Sequence, residues 1–516
     1  MNIISICRKD IIFKFVCLLL LASSVFVVSR SFPDTMIEPK WYVALAVFTC
    51  GGFVLATCFL LSGRRFECGN KLTQIEIITV GVCTAQAVFG ILQFAGLVNG
   101  YGHYAAGSFE NPAGFASCLC FSLPMGFRLF RRFSTFGKVA FIICKLLCMA
   151  AVVMSGSRTG MLCIMVCAVL LFGSGKKLML WIMPAMVVAV MVLTLAMKTD
   201  SSRGRWFICQ RTVELIAERP ITGWGIGGFE AKYMDVQADY FAHHVDSEYA
   251  MLADSIHHPM NEYLLVAVDF GLIGLLVLLA AIFGTVVYYR HHPSDYGRLG
   301  MQIMICIAVF SMFSYPFLYP FTWIMLLVAC CCVYKNRIFH RRIVCVSAIV
   351  ILPILGYMLA VNWAMSMELR RIQEKASYGL AKNMMPRYAK LYPKQKADYR
   401  FLYNYAAEQY EAGLYAEALH TANECEKLLS DYDISLLKAD IYRELGQDKL
   451  AMVNYQQAYN MCPSRFVPLY EIYNIYRSRK DTINYRRIAN IILTKPIKVK
   501  SKDTMDMIEE VRDETE

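Results

Sequence analysis

The chain has 516 residues, of which 57% are hydrophobic and only 18% charged. Soluble domains average about 45–50% apolar and about 25% charged, so this composition excludes an ordinary soluble enzyme. The net charge of +12 does not mark a nucleic-acid binder, because outside the C-terminal tail most Lys and Arg sit in short clusters between apolar runs, as membrane topology dictates.

A spanning helix needs about 20 mainly apolar residues, with every lipid-exposed backbone group bonded internally. About eleven stretches meet that rule: 11–29, 41–61, 74–97, 112–130, 138–154, 159–173, 177–197, 261–289, 299–314, 317–334 and 343–361. The first follows Arg8 and Lys9 as a signal peptide would, but Ser29-Arg30-Ser31 is a poor cleavage site, so it reads as a retained anchor. With the N-terminus in the cytoplasm, alternate turns are basic: Arg64, Arg65 and Lys71; Arg128, Arg131, Arg132 and Lys138; Lys176 and Lys177; Arg290 and Arg298; Lys335, Arg337, Arg341 and Arg342. The opposite turns hold Lys40, His103, Glu110, Arg158 and little else. This bias places the N-terminus inside and, with an odd span count, the C-terminus outside. The expected fold is all-α: a polytopic transmembrane bundle over 1–361 with an extracytoplasmic loop 198–260, then a helical-repeat region 362–497 outside the membrane.

Most of the 20 cysteines, such as Cys118, Cys120, Cys163 and Cys167, lie in apolar runs, where Cys behaves as a small hydrophobe. No paired CxxC motif suggests zinc. Cys425 and Cys462 of the tail could pair if that region is extracytoplasmic.

Four outward stretches carry candidate chemistry. In Gly107-Ser-Phe-Glu-Asn-Pro-Ala-Gly114, Glu110 and Asn111 stand at a helix start; capping competes with substrate binding. In Ser155-Gly-Ser-Arg-Thr-Gly160, Arg158 breaks the charge rule, and its guanidinium fork suits pyrophosphate oxygens; a snorkelling Arg is the alternative. The loop begins Ser202-Arg203-Gly-Arg205-Trp206, and residues 205–218 read as an amphipathic interface helix with Val213, Leu215 and Ile216 among Arg211, Glu214 and Glu218. The glycine run Gly223-Trp-Gly-Ile-Gly-Gly228 lacks the strand context of a nucleotide loop and reads as a tight turn. Last comes His257-His258-Pro-Met-Asn261-Glu262, where either His could act as a base and Asn261 could bind substrate; metal is the weaker reading, because neighbouring side chains do not easily share one ion.

The tail carries a periodic pattern: Gly413 and Gly446 are 33 apart, as are Ala418 and Ala451. With Ala439, Tyr442, Tyr455, Ala458 and Pro463 these match a tetratricopeptide unit, whose stacked helix pairs bind partners; a hairpin that only packs on the bundle competes. Residues 498–516 are highly charged and read as a disordered end.

The ordered set over about residues 85–290 resembles the O-antigen ligase and polymerase family of membrane glycosyltransferases. It rests on Gly-Ser-Phe-Glu-Asn-Pro, Ser-Gly-Ser-Arg-Thr-Gly, Arg-Pro-Ile-Thr-Gly-Trp-Gly-Ile-Gly-Gly-Phe and His-Pro-Met-Asn-Glu-Tyr-Leu. The resemblance implies a periplasmic-face enzyme of a bacterial inner membrane. Its donor would be a glycan on a polyprenyl diphosphate, in contact with membrane lipid. Its acceptor would be a lipid A-core sugar, another glycan or a protein hydroxyl, corresponding to ligase, polymerase and protein-glycosylation readings. It implies no metal and no cofactor, Arg158 and Arg205 on the diphosphate, and His258 as base. Many members carry His directly before the Asn, where this chain has Met260, so His257 stays an alternative. Arg203 is a further candidate. A transporter or a membrane scaffold working through its repeats is the non-enzymatic alternative.

Overall fold

The structure is a computed structural model; it describes residues 3–32, 34–62, 68–99, 104–172, 199–334 and 341–515. Among them all regular structure is helical. Among the described residues, six helices are long and apolar enough to cross a membrane: those within Glu38–Leu60, Lys71–Phe94, Thr135–Met154, Glu262–His291, Asp295–Phe313 and Val344–Gln395. Four more apolar helices are shorter: Ile11–Phe26, Pro112–Ser122, Arg158–Leu171 and Pro320–Val333. Ten of the expected spans therefore fall on helices. The remaining one, 177–197, lies outside the described residues, as do the basic turns at 64–65, 176–177 and 335–337. The chain is a multi-pass membrane protein. Its most apolar window in the 344–395 stretch is only 6% buried by protein, leaving an apolar surface that lipid covers.

The helices divide between two compact units: residues 1–197, 260–262 and 278–367 in the first, and 198–259, 263–277 and 368–516 in the second. The first holds α1 (Ile3–Phe26), α2 (Glu38–Ser62), α3 (Cys68–Phe94), α4 (Pro112–Ser122), α5 (Thr135–Met154) and α6 (Arg158–Phe172). The second opens with α7 (Thr199–Glu218) and α8 (Gly228–His243). Then follow α9 (Glu262–His291), α10 (Asp295–Phe313), α11 (Pro320–Val333) and α12 (Arg341–Lys375), of which α10 and α11 belong wholly to the first unit.

In the first unit α4 is the hub, packing on α3, α5, α6, α10 and α11. It is shorter than the 112–130 span read from hydropathy. Pro124 lacks the N–H that would continue the helical hydrogen bonding although Leu123 keeps helical angles, and Gly126 turns the chain with φ 85°. Eleven residues rise only about 17 Å, but every residue from Gly114 to Ser122 is buried, so the broken backbone is enclosed by protein, as hydrocarbon depth requires. Around it Cys118, Cys120, Cys163, Cys167 and Cys306 fill the core beside Phe115, Phe121 and Phe310.

The second unit continues from α12 with α13 (Ala381–Gln395), followed by three helical hairpins: α14–α15 (Tyr399–Glu411, Tyr415–Glu426), α16–α17 (Tyr432–Glu444, Asp448–Met461) and α18–α19 (Val467–Ser478, Thr482–Thr494). Ala406, Ala418, Ala439, Ala451 and Ala458 are buried where paired helices meet. Gly413 and Gly446 take φ 76° and 70° at the first two hairpin turns. The third hairpin has no glycine at this point; Lys480 adopts φ 57° instead, which is why sequence spacing reveals only two copies. The charged end is not structureless. It forms α20 (Lys502–Thr515), which buries Ile508 and Val511 and draws Glu510 and Glu514 onto Tyr470, Tyr473 and Arg477. Its apolar residues at a three-residue spacing provide the face that raw charge conceals. Cys425 and Cys462 are unpaired and separately buried; the Cys425 thiol donates to the Tyr399 carbonyl.

Candidate functional site

The sequence candidates divide between the units: Glu110, Asn111, Arg158 and Asn261 lie in the first, and Arg203, Arg205, His257 and His258 in the second.

In the first unit, two of the candidate motifs converge on one segment, the turn between α10 and α11. Asn111 caps α4 by accepting from Gly114 N at 2.7 Å. Its amide nitrogen donates to the Tyr315 and Tyr319 hydroxyls at 2.7 and 3.1 Å and to Glu110 Oε1 at 3.0 Å. Tyr319 donates to the same Glu110 oxygen at 2.6 Å. From the other motif, Asn261 donates to the Met312 carbonyl at 3.1 Å, and Glu262 accepts from Phe317 N at 3.2 Å. Burial pushes the Glu110 carboxyl up, against the hydrogen bond from Tyr319. Its Oε2 is buried without a partner. Behind this cluster Lys40 donates to the Ser108 carbonyl at 2.7 Å, and Gln93 brackets the backbone of Gly107. Tyr315 and Tyr319 escaped the sequence reading because aromatic residues in an apolar stretch look like core.

Arg158 is the first residue of α6, half-buried, at the corner between α5 and α6. Ser157 accepts from Gly160 N at 3.1 Å, and Ser155 accepts from Ser157 N at 3.2 Å. These serines close one helix and open the next, so the backbone that carries Arg158 is held at the corner.

In the second unit the loop helix α7 begins before the expected 205–218. It buries Phe207, Ile208 and Leu215 and leaves Val213 and Trp206 exposed, so Val213 is not on the packed face. Arg203 pairs with Glu248. Arg205 is exposed two residues on, about 200° around the helix. The glycine run and the Asp269-Phe-Gly271 stretch interlock: Trp224 N donates to Val268 O at 2.9 Å, Gly225 N to Asp269 O at 2.9 Å, and Leu272 N to Pro220 O at 2.8 Å. At Gly223 (φ 69°) a Cβ would come within 2.5 Å of the Val268 carbonyl. The turn reading of this run therefore has a concrete cause: backbone meets backbone here, and only glycine leaves room.

The two histidines face acids that no local pattern announces. His257 Nε2 is 3.6 Å from Asp431 Oδ2, and Ser255 hydrogen-bonds the same carboxylate. Glu230, near the start of α8, lies within electrostatic reach of both His257 and His258 and of Arg400; burial pushes its carboxyl up, opposed first by His257. Asp254 accepts from Arg465 at 2.9 Å and faces Lys498 at 3.5 Å. Among the described residues, the metal-ligand types that converge are Cys163, Cys167 and Cys306, whose sulfurs lie within 4.8 Å of one another deep in the first unit; there they serve the packing as small apolar groups.

Residues 143–279 match the family model described as O-antigen ligase. This segment is an O-antigen ligase domain. It contains Arg158, Arg205, Glu230, His257, His258 and the interlocked glycine turns, whereas Glu110, Asn111 and the helical tail lie outside it. This match supports a membrane glycosyltransferase-like role. No curated protein matches the chain.

Proposed function

We propose that the protein transfers a glycan from a polyprenyl-diphosphate carrier to an acceptor hydroxyl on the periplasmic face of the inner membrane. The observation that carries this reading is that one ligase-family segment supplies two outstanding arginines, Arg158 and Arg205, and a His pair within electrostatic reach of Glu230, with His257 also meeting Asp431. Outside the cytoplasm no nucleotide sugar is at hand, so activation must come from the lipid diphosphate.

In the proposed step His258, or His257 in its place, takes the proton of the acceptor hydroxyl. The oxygen then bonds to the anomeric carbon as the bond from that carbon to the diphosphate oxygen breaks, inverting the carbon. The carrier diphosphate leaves with the negative charge, and Arg158 and Arg205 are the cations assigned to stabilise it. Glu230 and Asp431 beside the histidines stabilise the imidazolium that forms. Glu110, Asn111, Asn261 and Arg203 are assigned to substrate positioning.

The test is transfer by the purified full chain in nanodiscs, with labelled lipid-linked glycan and lipid A-core, glycan and protein acceptors offered separately. The accepted acceptor distinguishes ligase, polymerase and protein glycosylation. Loss of transfer in Arg158→Ala, by about 10²–10³-fold or more and with normal membrane insertion, is expected. Full activity of that variant removes the diphosphate role.

A further inference from the structure

Residues 270–289 of α9 carry no charge, and Asp269 is the last acid before them. They make up about 20 residues, the length that the hydrocarbon core of a bilayer needs, so that core begins near Phe270. The glycine turn of the ligase-domain loop is tied to α9 at this level. Trp224 N donates to Val268 O at 2.9 Å, Gly225 N to Asp269 O at 2.9 Å, Leu272 N to Pro220 O at 2.8 Å and Ile273 N to Ile221 O at 3.4 Å. Gly227 N donates to the Asp269 carboxylate at 3.4 Å. Bonded at both ends, the turn cannot slide along α9, and residues 220–227 share the depth of residues 268–273.

At that depth the turn bares its apolar side chains. Ile226 is 89% exposed and Ile221 63%. Phe270, Leu272, Ile273, Leu276 and Val277 are exposed on and just past the stretch to which the turn is bonded. The tip is open: a Cβ at Gly225 or Gly227 would meet nothing within 4 Å. Ile226 borders the cleft between loop and tail, but its exposure shows that the tail does not cover it. In the same turn Trp224 carries Arg219 4.1 Å from its ring and donates its indole N–H to the Leu215 carbonyl at 3.1 Å. Trp and Arg side chains of this kind, apolar in body and polar at the tip, favour the level where hydrocarbon meets headgroups. Bare isoleucines there continue the apolar surface of α9, which lipid covers.

We propose that the glycine turn is a membrane-contact wedge, with Ile221 and Ile226 entering lipid at the boundary between headgroups and acyl chains. The interlock passes that height to Asp269, which lies within electrostatic reach of His258. The wedge thereby sets how far the histidine loop stands from the hydrocarbon. The lipid contact follows from the length of α9 and the interlock and does not depend on glycan transfer, so either reading can fail alone.

The experiment is photocrosslinking of the full chain in nanodiscs of phosphatidylethanolamine and phosphatidylglycerol, with lipid adducts on each peptide read by mass spectrometry. Ile226→p-benzoylphenylalanine and the same replacement at Ile221 carry the probe. Leu276, exposed on the charge-free part of α9, sets the yield for a lipid-facing position; Val453, 63% exposed on α17 of the tail, sets the yield without lipid. All four variants melt like the unmodified chain, because each position is exposed. Lipid adducts at 226 and 221 match those at 276 and are lost at 453. A yield at either turn position as low as at 453, or adducts on tail peptides around residues 397–400 in place of lipid, overturns the proposal.

Discussion

Replacing Gly271 with Ala is the sharpest test of how the ligase-domain loop is held. Gly271 has φ 65° and ψ −166°, a region open essentially to glycine, and holding another residue there costs about 1–3 kcal/mol. A Cβ would also come within 2.2 Å of the Ile221 carbonyl oxygen and 2.7 Å of Thr222 N. Both are backbone atoms, so the strand of chain at Pro220–Trp224 must move away. That movement strains the hydrogen bonds Leu272 N to Pro220 O and Trp224 N to Val268 O, each worth about 0.5–1.5 kcal/mol. The loss is roughly 2–6 kcal/mol, a large part of the ordinary stability of about 5–15 kcal/mol. Thermal melting with limited proteolysis of the loop 198–260, on the chain in nanodiscs, reads it. Gly284→Ala on the same helix is the control, because a Cβ there meets nothing within 4 Å; it gains up to about 1 kcal/mol of helix propensity. If Gly271→Ala melts and resists protease like Gly284→Ala, the interlocked-backbone account is wrong.

Asn111→Ala removes a helix cap, worth about 0.5–2 kcal/mol, and also the donor shared by Tyr315, Tyr319 and Glu110; melting falls further than for Asn111→Asp, which keeps the cap but not the donor. His258→Ala lowers transfer by about 10²–10⁴-fold while His257→Ala lowers it much less; the reverse order in single-turnover rates moves the base to His257. Burial opposes charge on Asp254, but Arg465 and Lys498 hold its carboxyl below its ordinary value. The unfolded chain therefore takes up that proton first as pH falls. The contribution is complete above about pH 4 and fades as pH drops through the lower, folded pKa. The melting advantage of the unmodified chain over Arg465→Gln accordingly shrinks below about pH 4; an advantage that stays constant down to pH 2 contradicts the ion-pair assignment.

Much of this molecule is written locally. Apolar runs announce α1 to α6 and α9 to α12, because lipid forces each span to satisfy its own backbone; α7 shows only as an amphipathic stretch, and α8 carries no such signal. Asn111 before Pro112 announces a cap, and Gly413 and Gly446 announce hairpin turns, because caps and turns are settled within a few residues. The interlock of Gly223 with Asp269 was legible only as a turn; that its glycines make room for another stretch of backbone emerged from the fold. Three matters needed tertiary structure outright: that Tyr315 and Tyr319 receive Asn111, that Asp431 meets His257 with Glu230 in electrostatic reach, and that the loop and the tail form one compact unit. Ser255 and Asp431 are 176 residues apart, and no periodicity or propensity acts over that separation. A buried acid earns its place from whatever the folded chain sets opposite it, so its role appears only when distant segments are brought into contact.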